Sequence, residues 1–206
     1  INKYLKIALK VVSILGLFFI VLVAFLSIPA IQTSLGSYAT GKINEAYGTD
    51  IKIEKVGLQF NGDVELKTIL IKDHFGATMI SVSELNTSVL SFAKIANNEL
   101  EFGDIDMYNL FFHIKTYKGE GDTSLDFFAD KFDRQNPIEK TNKFLLSSGS
   151  LNIYNSSFRL TDENKKNPKV LDLRDLDILA SDFLISGFDI NTKIKQLSFK
   201  DSRGVA

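Results

Sequence analysis

Asp50–Leu85 reads DIKIEKVGLQFNGDVELKTILIKDHFGATMISVSEL, and its period decides the fold. Ile51 and Ile53 alternate with Lys52 and Glu54, the two-residue repeat of a strand with one apolar face. The phase slips at Lys55, as at a β-bulge, and then Val56, Leu58 and Phe60 continue. Asn61-Gly62 is a strong hairpin signal, because both residues tolerate the positive φ of a tight turn. Val64, Leu66, Ile69 and Ile71 follow. Asp73-His74-Phe75-Gly76 makes the next turn, before Ile80, Val82, Leu85 and Val89.

Downstream, the same period predicts a long strand region over Glu99–Thr116, with Leu110, Phe112 and Ile114 on one face. It resumes through Leu151–Leu160, Val170–Ala180 and Ile190–Phe199, giving about nine strand segments. Asp162–Pro168, DENKKNP, reads as a charged hairpin loop. Two interruptions stand out: a helical or loop insert around Phe92–Asn98, and a short helix carrying Leu125, Phe127, Phe128 and Phe132. One face of the alternation is aliphatic and aromatic, the other Lys, Glu, Asp, Asn and Thr. An apolar sheet face must be covered, and the predicted helix is too short to cover it. The sheet therefore either curls on itself or lines a groove that holds something greasy.

Upstream, Val11–Ile28, VVSILGLFFIVLVAFLSI, carries no charge, and fourteen of its residues are Val, Ile, Leu or Phe. As a helix it spans about 27 Å, close to the hydrocarbon thickness of a bilayer. Lys3, Lys6 and Lys10 precede it and no Lys or Arg follows until Lys42, which places the N-terminus on the cytoplasmic side. A cleaved signal peptide is the rival reading, but its apolar region is normally about 7–15 residues. From Pro29, which opens a helix well, the residues Ile31, Leu35, Tyr38, Ala39, Ile43, Ala46 and Tyr47 form an apolar stripe that ends at Gly48. That face is expected to plug the end of the sheet.

Composition excludes several classes. The chain has 206 residues, 24 Lys+Arg against 25 Asp+Glu, and no Cys. Three of the positive charges precede the apolar run, so the remainder is weakly acidic and offers no footprint for nucleic acid. Without Cys there is neither a disulfide framework nor thiolate chemistry. Gly36–Lys42, GSYATGK, matches the start of a phosphate-binding loop but lacks Ser or Thr after the Lys and falls in the predicted helix. His74 and His113 are the only histidines. The first is expected to be solvated in its turn and the second to face outward, with no second ligand at metal spacing. Asp104, Asp106, Asp172, Asp175 and Asp177 read as solvated strand edges. No catalytic residue, cofactor or metal site is predicted.

The order of these features resembles the AsmA-like family, within it the TamB-type translocation and assembly module subunits of Bacteroidetes. The resemblance is carried by the basic start and apolar run, Ile28-Pro29-Ala30-Ile31-Gln32, Tyr47-Gly48-Thr49, the Asp50–Leu85 stretch with its Ile-Lys-Asp-x-x-Gly turn at Ile71–Gly76, and Thr116-Tyr-Lys-Gly-Glu. It is best over residues 1–130 and looser beyond. It implies a cytoplasmic basic flank (1–10), a single transmembrane helix in a bacterial inner membrane (11–28), a juxtamembrane amphipathic helix (29–49) and a periplasmic domain (50–206). That domain would be an antiparallel curled sheet forming an open, β-taco-like apolar groove, the start of a longer one. The family is thought to carry phospholipid towards the outer membrane, and has also been assigned to outer-membrane barrel assembly or secretion with an Omp85-type partner. The residues expected to line the groove are Val56, Leu58, Phe60, Val64, Leu66, Ile69, Ile71, Ile80 and Val82. Membrane lipids are the expected partners. A scaffold whose apolar face packs against protein is the competing reading.

Overall fold

The computed structural model describes residues 27–59, 61–91, 94, 99–133, 145–186, 189–201 and 204–205. The flank 1–10, the apolar run except Ser27 and Ile28, groove candidate Phe60 and most of the insert at 92–98 lie outside them. Among the described residues, no helix is long and apolar enough to cross a membrane.

Helix α1 (Pro29–Tyr47) has its proline in the first turn and ends at Gly48, whose φ of 64° closes it in the left-handed region. The GSYATGK segment is thus helical and makes no loop. Six strands follow: β1 (Ile51–Leu58), β2 (Asp63–Lys72), β3 (Thr78–Ser88), β4 (Glu99–Phe102), β5 (Ile105–Tyr108) and β6 (Phe111–Thr116). Helix α2 (Ser124–Asp133) precedes β7 (Leu145–Asp162), β8 (Lys169–Ser186), β9 (Asp189–Asp201) and β10 (Gly204–Val205). The protein is mainly β, a single curled ten-stranded sheet in the order β1-β2-β3-β5-β7-β8-β9-β10, with β4 and β6 also on β7. Both predicted turns form. Gly62 takes φ 93° and Gly76 φ 81°, and Asp73 Oδ1 accepts the Phe75 and Ala77 N–H groups at 2.9 Å each.

The sheet is not wholly antiparallel. β4, β5 and β6 run parallel to β7, because the path from β6 to β7 goes through α2, long enough for a crossover. The single strand region expected over Glu99–Thr116 is broken at Gly103-Asp104 and Asn109-Leu110 into these three pieces.

Helix α1 also packs differently from expectation. Its apolar stripe is largely outside the packing, with Leu35, Tyr38 and Ile43 at 53, 67 and 38% exposure. The side facing β1 is polar and small. Gln32 Nε2 donates to Leu58 O at 2.6 Å and Leu58 N–H donates to Gln32 Oε1 at 3.0 Å. Asn44 makes the same double contact with Ile51, at 2.8 and 2.9 Å, and Val56 N–H reaches Thr33 Oγ1 at 3.3 Å. The reason is that β1 is an edge strand, whose free side offers unpaired N–H and C=O groups and no apolar surface. Amide side chains satisfy those groups, and an apolar stripe cannot.

The phase slip read at Lys55 belongs to a crease across several strands. In β1, β2 and β3 the aligned residues Ile53, Ile69 and Val82 stand three positions from the aligned Val56, Leu66 and Leu85. An odd step breaks alternation once in each strand, leaving polar pairs such as Glu54-Lys55 and Lys67-Thr68 at the break. Four of the five non-glycine residues with left-handed backbone among the described residues mark the same line: Thr68 (φ 53°), Asn109 (53°), Asn155 (50°) and Asp175 (46°). The crease lets long strands bend while their apolar residues stay on one face.

Candidate functional site

The strand register assembles the apolar residues into continuous rows. Val56, Leu66, Leu85, Met107, Ile153, Ile178 and Leu197 pair in succession across β1, β2, β3, β5, β7, β8 and β9. Beyond the crease, Ile51, Ile71, Ile80, Phe112, Phe158 and Leu173 make a second row over six strands. The Phe112 and Phe158 rings meet edge to face at 5.6 Å.

Eight of the predicted groove residues are described, and each pairs with another apolar residue across the sheet. Val56 and Leu66 belong to the first row and Ile71 and Ile80 to the second. Ile69 and Val82 align with Ile53, and Leu58 and Val64 pair at the end of the sheet beside the N-terminus of α1. Met107, Ile153, Ile178, Phe112, Phe158 and Leu173 were not singled out. Alternation marks each as apolar, but only the pairing of sequence-distant strands aligns them with the others.

The degree of burial is informative. In the seven-strand row only Ile153 is buried, and Leu197 is 48% exposed. In the six-strand row no residue is buried. The buried apolar side chains among the described residues are few: Met79, Val82, Ile105, Ile153, Leu176 and Ala180. A closed sandwich buries both facing rows. Here the apolar face is only half covered.

The two ends of the sheet differ. At one, α2 spans from β6 to the turn after α1: Lys115 N–H donates to Ser124 Oγ at 3.0 Å, and Lys131 Nζ donates to Gly48 O at 2.6 Å. His74 is not solvated as expected. Its ring packs on Phe127 at 4.1 Å and its Nε2 meets the Glu120 carboxylate at 3.2 Å, which ties the β2–β3 turn to this end. Tyr117 O–H donates to the buried Asp73 at 2.6 Å; burial first, and then that hydrogen bond, pushes the phenol above its ordinary range. At the opposite end a cavity of about 940 Å³ opens beside the start of α1. Gln32, Leu58, Val64 and Thr87 line it together with Glu65 and Asp106, so its wall is mixed and not purely apolar.

No protein-family model and no curated protein matches the chain. Among the described residues, no group of three or more His, Asp or Glu stands close enough to hold a metal ion.

Proposed function

We propose that this chain belongs to an AsmA-like envelope protein, anchored in the bacterial inner membrane by residues 11–28, whose half-covered sheet carries phospholipid acyl chains through the periplasm. The observation that carries this reading is the seven-strand apolar row in which only Ile153 is buried. Water on such a face is costly. Burying one acyl methylene is worth about 0.8 kcal/mol, so a tail lying across several strands gains enough to leave water.

The ends of the sheet support a direction. Helix α2 covers one end, whereas the mixed cavity lies at the opposite end of the sheet, beside the N-terminus of α1 and next to Ser27. A lipid tail enters there. Ile28, just before α1, and Leu35, Tyr38 and Ile43, outward on it, suit contact with the bilayer surface. The reading assigns no catalytic residue, cofactor or metal.

A second reading, assembly of outer-membrane barrel proteins with an Omp85-type partner, is favoured by β9. Among the described residues its outer edge is paired only at Lys200 and Asp201, and Ile190 and Ile194 are 66 and 60% exposed. Such an edge accepts a client strand by β-augmentation.

Native mass spectrometry with lipid extraction of the detergent-purified chain separates the two. Carriage predicts bound phospholipid that falls sharply in a Leu66→Asp, Leu85→Asp variant still folded by circular dichroism. Equal lipid in both proteins refutes it.

A further inference from the structure

The crease meets the polar face of the sheet at a second cavity, of about 380 Å³. Asn109, Asn155 and Asp175, three of the residues with left-handed backbone, all line it. Strained backbone of this kind gathers where a site has to be shaped. The cavity lies opposite the apolar rows: Phe111↔Ser157 and His113↔Arg159 alternate with Phe112↔Phe158 and Ile114↔Leu160. It is therefore independent of the acyl-chain reading.

Its charges are unequal. Asp172, expected from sequence to be a solvated strand-edge carboxylate, is 2% exposed and takes three cations. Arg159 Nε lies 3.5 Å from its Oδ1, Arg174 Nη2 lies 3.2 Å from its Oδ2, and Lys169 Nζ sits on the same Oδ2. The second carboxylate of the wall, Asp175, is paired with Lys200 at 2.7 Å. With Asp177, whose Oδ1 accepts the Asn155 N–H at 2.7 Å, four cations stand against three carboxylates at and around the cavity. Arg159 Nε, 3.5 Å from Asp172 Oδ1, is buried and has no hydrogen-bond partner, and its guanidinium lies 5.9 Å from the Phe111 ring centre, so this ion pair leaves the Nε–H donor unused. Asn155 Nδ2 donates to Asn109 Oδ1 at 2.8 Å and fixes the two amides side by side on the wall.

We propose that this cavity binds a phosphate-class oxyanion, with Arg159 and Arg174 as its ligands and Asp172 as the positioning residue that holds both. Two guanidinium groups beside one cavity suit the several acceptor oxygens of a tetrahedral anion, and the anion balances the surplus charge. The volume exceeds that of a bare anion and falls within the range of small-molecule pockets, which leaves room for the organic part of a phosphate ester.

The test is titration of the detergent-purified full chain with inorganic phosphate at low salt, followed by ³¹P NMR, in the natural protein and in Arg174→Gln. Arg174 is 62% exposed and Asp172 keeps Arg159 and Lys169 in that variant, so the fold is retained. The expected result is one saturable site that weakens about tenfold on loss of one charge-assisted ligand. Arg159→Gln is expected to weaken it likewise. A parallel arm uses phosphatidylcholine vesicles with and without phosphatidic acid. Phosphatidic-acid-dependent binding that phosphate competes away assigns a lipid headgroup, and phosphate binding without it assigns a soluble ester. Absence of saturable phosphate binding, or equal binding by both variants and the natural protein, overturns the proposal.

Discussion

The Gln32 side chain pairs with both backbone groups of Leu58, donating to its carbonyl at 2.6 Å and accepting its N–H at 3.0 Å. With Asn44 on Ile51 it makes α1 a substitute for a missing neighbour strand. Gln32→Leu leaves those backbone groups without partners inside the packing, so stability is expected to fall by about 1–3 kcal/mol. Denaturant unfolding reads the loss, and amide exchange at Leu58 is expected to quicken more than at Ile51.

Two glycines of α1 predict opposite signs. A Cβ at Gly36 would run into Val56 Cγ2, whereas Gly41 has open space around it. Gly36→Ala pushes the helix off the strand and is expected to cost about 1–3 kcal/mol. Gly41→Ala removes a poor helix former from an exposed site and is expected to stabilise by about 0.5–1 kcal/mol. Unfolding midpoints of the two variants decide it.

Thr68 holds a left-handed φ of 53° on the crease, a conformation that a β-branched side chain adopts with strain. Thr68→Asn keeps a polar side chain and tolerates that backbone. A gain of about 0.5–1 kcal/mol with an unchanged denaturant slope is expected.

The His113 imidazole is held below its ordinary value, by burial first and then by Arg159 and Lys115, against weaker opposing effects of Asp73 and Asp172. Its Nε2 lies 2.9 Å from Thr161 Oγ1. The folded state thus binds this proton less readily than the unfolded chain. The stabilising contribution is complete above the unfolded value of about 6.5 and is lost as pH falls through the depressed folded value. Denaturation curves over about pH 5–8 are expected to show falling stability in acid, with a smaller fall in His113→Gln.

Much of this was legible in the sequence because alternation is a local signal. Ile51 to Val82 announced strands, Asn61-Gly62 and Asp73–Gly76 announced turns, and the slip at Lys55 announced the crease. What failed depends on partners far along the chain. The parallel pairing of β5 with β7 follows from a crossover through α2, which no residue of Ile105–Tyr108 encodes. The stripe of Leu35, Tyr38 and Ile43 looked like a docking face until β1 proved to need backbone partners, which Gln32 and Asn44 provide. Asp172 reads as a surface carboxylate, and only the fold brings Arg159 to it.

The central claim is that the half-covered rows hold acyl chains, and Met107 and Tyr108 test it most directly. They are adjacent in β5, Met107 in the seven-strand apolar row and Tyr108 stacked on Tyr154 at 5.2 Å among polar neighbours. A photo-crosslinking residue placed at each position in turn, in bacteria making the full chain, is followed by detection of lipid on the purified protein. Phospholipid adducts at 107 and none at 108 are predicted. Equal adducts at both positions, or adducts at 107 made only of protein, would contradict the account.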